Sequence, residues 1–396
     1  MDSTLRSLIQ AIHDSPPRAM FAAAGAGSRA LADLLAVPGA SRTLLEALIP
    51  YAGDAFDEFL GQTPEQYVSA ETGRMMAGRA LARAYHLREL ETWPIVGLAC
   101  TATLVTDRPK RGEHRAHVAA WSPERLTARM LTLEKGARDR DGEEGLVSRL
   151  ILEVLAESCG LTGSDDAAGA GLHVPLPLGP GDSLTSETID FAAVAEQLRR
   201  REIPYFGIDA DGRVRTTDAH PQAILSGSFN PLHGGHTGLA GTAAALLGAP
   251  VAFEVSAVNV DKPPLATAVL LDRLSQFAGR YAVFAGNAPT FVEKSRLYPG
   301  TTFVVGFDTA ERVIQPRYYG DDEMAMTAAL NEMRERGNRF LVAGREGDDG
   351  LFRGREALVI PAGFSEMFVP IPAGLFRHDV SSTEIRAALR AEADAE

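Results

Sequence analysis

The sequence predicts an α/β protein of two domains, the second of them a doubly wound parallel sheet. Three observations carry this. Apolar runs of strand length alternate with stretches of helical spacing. The 396 residues are more than a single domain of ordinary size needs. A glycine- and proline-rich stretch, "LTGSDDAAGAGLHVPLPLGPGDS", interrupts the alternation between residues 161 and 183.

Residues 1–161 form the first expected domain. "STLRSLIQAIHDS" and "SRALADLLAVPGASRTLLEALI" carry apolar residues at helical spacing. "PEQYVSAETGRMMAGRALARAYHL" reads as a helix with Ser69 or Thr72 near its start. "PIVGLACTATLVTD" is a continuous apolar run suited to a buried strand, and "EHRAHVAAWS" alternates as a strand does. "EEGLVSRLILEVLAESCG" is a long helix closed by a glycine.

Residues 162–221 are expected to be a linker followed by a helix, "FAAVAEQLRRR", and a hairpin, "YFGIDADGRVRTT", turning near Asp211–Gly212. From 222 to 396 a second α/β unit follows. "AILSGSFNP" is strand then loop, and "HTGLAGTAAALLG" is a helix ending at Gly248. "VAFEVSAV", "YAVFAG", "TTFVVGFD" and "NRFLVAGR" are strands, with "LATAVLLDRLSQFAG" a helix between the first two and "STEIRAALRAEA" the last helix. Strands alternating with helices give a parallel sheet whose ligands sit beyond the C-terminal strand ends. Gly227, Asp308, Arg345 and the loop before Ser381 fall there or near it.

Composition narrows the function. The formal net charge is −13 and no basic block stands out, which argues against a nucleic-acid or membrane-surface binder. The two cysteines, Cys100 and Cys159, form no CxxC or Cys/His pattern and read as buried thiols. The N-terminal segment has no signal-peptide core, and no apolar run reaches the ~18 residues of a membrane span. A cytoplasmic protein is the expectation, with a homo-oligomer left open. Lysine occurs only at 110, 135, 262 and 294 in an arginine-rich chain, so each retained lysine is a mild hint that an ammonium is wanted.

Chemistry concentrates in "GSFNPLHGGHTGLA", residues 227–240. A strand runs into a turn, and a helix begins near Gly235. Backbone N–H groups and the positive helix end make an anion site there. Gly234 and Gly235 remove side-chain bulk, and His233 and His236 can point to one side. Two imidazoles over an anion site suit a phosphate whose charge grows in a transition state. The same pair could bind a metal, although no further ligand cluster accompanies it. In "SSTEIR", residues 381–386, Ser381 and Glu384 form a capping box. Thr383 and Arg386 place a hydroxyl and a guanidinium one turn in, within reach of phosphate oxygens.

"GSFNPLHGGH" resembles the (H/T)xGH signature of the nucleotidyltransferase α/β phosphodiesterase superfamily. "SSTEIR" resembles its second signature as used by nicotinamide and nicotinate mononucleotide adenylyltransferases. The two stand about 145 residues apart in the right order. Class I aminoacyl-tRNA synthetases share the first signature but carry a lysine-rich second one, and this chain has no lysine after 294. Cytidylyltransferases of lipid synthesis usually have a second motif with a central Gly-Ile-Ser. The resemblance implies a Rossmann-like doubly wound sheet of the nucleotidyltransferase type. It implies that backbone around Gly227, Ser228 and Phe229, with His236, holds the α-phosphate of ATP, and that His233, Ser382, Thr383 and Arg386 hold the outer phosphates. "NVDKPPL" places Lys262 where the superfamily has a phosphate-contacting lysine, with Arg273 on the next helix. "VVGFDTA" resembles its Gly-x-Asp, putting Asp308 near the nucleoside, and "FLVAGRE" its strand ending in an arginine, Arg345. Mg²⁺ would come with ATP, bridging phosphate oxygens. The tryptophan common after Gly-x-Asp is missing, so Tyr318, Tyr319 or Phe291 would have to face a pyridine ring.

The first 161 residues resemble the CinA C-terminal domain, whose active members deamidate nicotinamide mononucleotide. The likeness rests on a small-residue loop before "ALADLLAVPGAS", on "ALIPYAGDAFDEFLG", on "VSAETGRMMAGRAL" and on "VGLACTATLVTD". The family's nucleophilic serine falls at Ala23 of "AAAGAGS", and its tyrosine–lysine spacing meets Tyr51 and then Phe56. Nucleophile and base are both missing. A structural, oligomerising or ligand-sensing role is therefore expected for a CinA-like α/β domain that does not turn over.

The resulting expectation is an adenylyltransferase. The phosphate of an acceptor such as nicotinamide or nicotinate mononucleotide attacks the α-phosphorus of ATP and releases pyrophosphate. A cytidylyltransferase acting on another phosphorylated acceptor and a non-catalytic nucleotide-binding regulator are the alternatives.

Overall fold

Two sheets organise the chain in the computed structural model, which describes residues 1–108, 111–161, 175–258, 263–347 and 350–377. The chain divides into two compact units. One comprises Met1–Ala193, Ile208–Val214 and Leu274–Tyr281; the other comprises Val194–Gly207, Arg215–Arg273 and Ala282–Glu396.

The first unit is built on a mixed six-stranded sheet. Its strands are β1 (Arg18–Ala24), β2 (Leu44–Leu48), β3 (Ile95–Thr103), β4 (His114–Trp121), β5 (Arg125–Leu133) and β6 (Ser183–Asp190), in the order β2-β1-β3-β4-β5-β6. β1 runs parallel to β2 and β3, and the remaining pairs are antiparallel. Its helices are α1 (Ser3–Asp14), α2 (Ser28–Ala36), α3 (Gly53–Leu60), α4 (Ala70–Leu87) and α5 (Arg140–Ser158). Side-chain caps start three of them: Asp2 accepts from the Leu5 N–H, Ser69 from Thr72 and Asp139 from Gly142. α5 buries residues around most of its circumference, so its strong amphipathic stripe is lost and it lies in the core with Phe21, Cys100, Val118 and Leu131.

Three expectations change here. "TLLEALI" is not helical: α2 stops at Ala36, Pro38 and the left-handed Gly39 (φ +118°) turn the chain, and Leu44–Leu48 joins the sheet. "AAAGAGS" is only partly loop, because Arg18–Ala24 is the interior strand β1, paired on both sides; alanines buried on both faces give no periodic signal. The stretch expected to be linker from 162 holds β6, which completes the first sheet. The first unit thus extends past 161 to Ala193 and takes in Ile208–Val214, where Asp211 pairs with Arg74 at 2.6 Å.

In the second unit, α6 (Phe191–Arg199) leads to the hairpin of β7 (Tyr205–Ile208) and β8 (Val214–Arg215). Then come β9 (Ala223–Ser226), α7 (Gly234–Leu247), β10 (Val251–Ser256), α8 (Thr267–Leu274) and β11 (Val283–Gly286). They are followed by α9 (Phe291–Leu297), β12 (Thr302–Gly306), α10 (Phe307–Val313), α11 (Glu323–Glu335) and β13 (Arg339–Ala343). A small hairpin, β14 (Arg345–Glu346) and β15 (Phe352–Arg353), precedes β16 (Phe368–Pro370). Six strands lie in the order β11-β10-β9-β12-β13-β16, all parallel, with β7 and β8 beyond β11. That is the 3-2-1-4-5-6 order of a doubly wound sheet, with its switch point between β9 and β12. Phe303, Phe340 and Phe368 line up across β12, β13 and β16, the last two rings stacked at 5.0 Å. Among the described residues no helix is long and apolar enough to cross a membrane.

Candidate functional site

β9 ends at the switch point, and the loop after it carries the two histidines. His233 is the N-cap of α7, in extended conformation, and His236 lies in the first turn. Their rings stack with centroids 3.7 Å apart and planes at 26°. The backbone N–H of His233 donates to Nδ1 of His236 at 3.3 Å. With Nδ1 an acceptor, the ring proton of neutral His236 resides on Nε2, ready to donate. Phe229 meets the same ring edge-on at 4.9 Å and rests in turn on Phe253 at 5.4 Å. Burial, then the neighbouring His233, pushes His236 down to about 4. It is therefore neutral at pH 7.

The loop explains its glycine. A Cβ on Gly227 would sit 2.7 Å from Cζ of Phe229, so only glycine lets that ring fold back under the loop. Phe229 itself takes φ +42° and is 1% exposed. The N–H of Gly227 donates to the Glu254 carbonyl at 3.0 Å. Gly227 thus shapes the loop while its amide continues the sheet, and Phe229 contributes a floor. Arg273 reaches the Ser228 carbonyl at 3.5 Å, the outer limit of a hydrogen bond.

Asp308 and Arg345 lie next to each other beyond β12 and β13. Asp308 is in the first turn of α10, and its carboxylate takes the Arg345 guanidinium at 2.5 Å, each side chain half-exposed. Of the three aromatics expected to face a planar ligand, two are committed elsewhere. Phe291 packs on Phe303 and Phe340, and Tyr319 donates its hydroxyl to the Val313 carbonyl. Tyr318 stays at the surface with Arg317 over its ring. Lys262, Ser382, Thr383 and Arg386 lie outside the described residues.

One group escaped the sequence reading. Lys294 donates to both oxygens of Glu254 at 2.6 Å and to Ser256 Oγ at 2.7 Å, and the pair is almost fully buried. The rarity of lysine in this chain was the available signal. Glu254 pairs in register with Ser226, so the buried ion pair lies beside the last residue of β9, where the histidine loop begins.

The first unit has a comparable strand–loop–helix passage. Ala23 is buried near the end of β1, and Gly25–Gly27 leads into α2. Gly27 takes φ +109°, with Ile151 2.9 Å from where its Cβ would be. The carboxylate of Glu144 fills the helix end, accepting from the N–H of Gly27 (3.0 Å), the Ser28 hydroxyl (3.0 Å) and the N–H of Arg29 (3.1 Å). Phe56 is buried against Tyr67, Tyr51 is exposed, and Thr101 donates to the Tyr67 carbonyl.

No family profile matches the sequence, and no curated protein is similar to it. Solved structures of the CinA superfamily are similar over 40% of the chain. The competence/damage inducible protein CihA from Agrobacterium tumefaciens matches at 19% identity, with 97% of that protein covered and a TM-score of 0.33. CinA superfamily proteins from Enterobacter cloacae (16% identity, 94% covered) and Klebsiella pneumoniae (14%, 99% covered) match at the same TM-score.

Proposed function

We propose that the second unit transfers a nucleotidyl group, AMP from ATP, to a phosphorylated acceptor such as nicotinamide or nicotinate mononucleotide, with release of pyrophosphate. The observation that carries this reading is the stacked His233–His236 pair at the start of α7, on the loop that leaves the sheet at its switch point. The acceptor phosphate is already a competent nucleophile, so the protein need not form a covalent intermediate. Its contribution is positioning and charge stabilisation.

As an acceptor oxygen attacks the α-phosphorus, charge builds on the non-bridging oxygens. Neutral His236 donates from Nε2 towards them, with its orientation fixed through Nδ1. The positive end of α7 adds to the same field. Lys262, Ser382, Thr383 and Arg386 take the outer phosphates in this reading. Among the described residues no group of three or more His, Cys, Asp or Glu side chains could hold a metal ion. In this reading Mg²⁺ would come with ATP and would supply charge neutralisation at the phosphates. Asp308, with Arg345 as its partner, lies at the next strand end for the nucleoside.

The first unit, in the same reading, is a CinA-like domain that no longer deamidates and serves a structural or ligand-sensing role. The reading is tested by pyrophosphate release from ATP, and separately from CTP, across a panel of phosphorylated acceptors. Turnover with ATP and a pyridine mononucleotide is expected. Turnover with CTP alone would move the assignment to a cytidylyltransferase, and none with either would leave a nucleotide-binding regulator.

A further inference from the structure

The α4-facing side of the first unit's sheet holds a buried imidazole with no partner. Strand register places Thr101, His117, Met130 and Thr185 in one row across β3 to β6, and Ala99, Ala119, Ala128 and Glu187 in the next. A cavity of about 160 Å³ remains over these rows, roofed by Ala70, Gly73 and Arg74 of α4. His117 lines it and is 6% exposed, yet neither of its ring nitrogens meets a hydrogen-bond partner. A buried polar group left in this state is unfavourable, so it calls for an explanation.

The surroundings select the charge of what would satisfy it. Arg115, two residues earlier on the same face of β4, donates to the Val68 carbonyl just ahead of α4, and its Nε is also buried without a partner. Arg74 lies on the cavity wall, bonded to Asp211 and to the half-exposed Glu187. Both guanidinia act on His117, which burial first, then Arg115 and Arg74, push down to about 4. The first turn of α4 adds its positive end. The floor selects the shape. Ala119, Ala128 and Met130 offer methyl groups and a thioether, so a fully hydrated phosphate would lose more water than it regains in hydrogen bonds.

We propose that this cavity binds a small carboxylate of one ring or a short chain, its carboxylate taking the N–H of His117 in the field of Arg115 and Arg74, and its apolar body lying on Ala119, Ala128 and Met130. The site uses β6, a strand the resemblance to the CinA domain does not cover, and it is distinct from the loop that Glu144 closes.

The test is an NMR titration of the full-length chain. The His117 ring signal is assigned by its loss in His117→Gln, and the probes are benzoate, acetate, benzamide and inorganic phosphate. Benzoate should shift the signal saturably and raise the pH at which His117 titrates. Ala119→Leu, which fills the floor without touching a polar group, should weaken benzoate by about tenfold or more, as should His117→Gln measured by calorimetry. Thermal melting establishes that both variants are folded. A His117 signal unmoved by benzoate overturns the proposal. So does benzamide or phosphate binding as well as benzoate, or a folded Ala119→Leu that keeps wild-type affinity. If the variants fail to fold, the wild-type order of benzoate over benzamide and phosphate decides alone.

Discussion

The β1–α2 passage of the first unit and the β9–α7 passage of the second use the same backbone idea for opposite ends. Each sends an interior parallel strand through a glycine-containing turn into a helix N-terminus, a place whose first N–H groups favour an anion. In the first, the chain supplies its own anion: Glu144 holds three donors at 3.0–3.1 Å. In the second, two stacked imidazoles stand at the helix start instead. Helix geometry alone therefore does not make a site. What decides is whether a side chain from elsewhere in the fold has already claimed the donors.

The comparison breaks most visibly at His236. Under the proposed function, His236→Ala should lower kcat for pyrophosphate release by about 10²–10³-fold, the scale for losing one donor to developing charge. The fold should persist, since the ring sits on a loop and a first helical turn. An unchanged kcat in a folded variant would remove His236 from the chemistry. The counterpart is Glu144→Ala. It strips the cap from α2 and should cost about 1–2 kcal/mol of stability by thermal melting. Added sulfate or phosphate should recover part of that loss by occupying the vacated N–H groups. A variant that melts like wild type would mean that the carboxylate does not hold the loop.

A smaller effect follows from two imidazoles, one in each unit. His236 and His117 are both pushed from 6.5 to about 4, chiefly by burial. The unfolded chain then binds more protons than the folded one between those values. Their contribution to stability is full above pH 6.5 and drains away as pH falls towards 4. Denaturant melts at pH 7, 5.5 and 4.5 should show this, and His236→Gln with His117→Gln should flatten it. Over pH 5–8, kcat should carry no inflection belonging to His236. A kcat inflection near pH 6.5 that vanishes in His236→Gln would contradict its neutral role.

The second unit was the more legible of the two, for physical reasons. Its strands are short apolar runs closed by glycine or polar loops, so "AILSG", "VAFEVS" and "TTFVVG" declare their ends, and parallel order follows from alternation with helices. The histidine pair was legible because HxGH-like spacing at a strand–helix junction has few uses. In the first unit β1 is an alanine run with no period, and β6 is a Ser/Thr/Glu strand with an exposed face behind a glycine-rich stretch. Neither shows apolar alternation. The pairings of Asp308 with Arg345, Glu254 with Lys294 and Glu144 with the α2 end span 37, 40 and at least 115 residues, and only folding brings those charges together.

The least effect is expected where the first unit would be asked to deamidate. It should release no ammonia from nicotinamide mononucleotide, and a serine at position 23 alone, Ala23→Ser, should change nothing. Ala23 is 3% exposed and packs in the core with Phe21, Cys100 and Val118, so a hydroxyl placed there would be buried among apolar side chains with no base beside it. Phe56 is also 3% exposed, packed edge-on against Tyr67. Ser28 is the nearest hydroxyl on the loop, but it donates to Glu144, whose oxygens also hold the N–H groups of Gly27 and Arg29. The measurement is ammonia release by wild type, Ala23→Ser and Ser28→Ala, with His236→Ala as background. Release that survives His236→Ala but disappears in Ser28→Ala would show that Ser28 with Glu144 forms a working pair, and the contrast between a loop closed by a carboxylate and one lined by imidazoles would no longer hold.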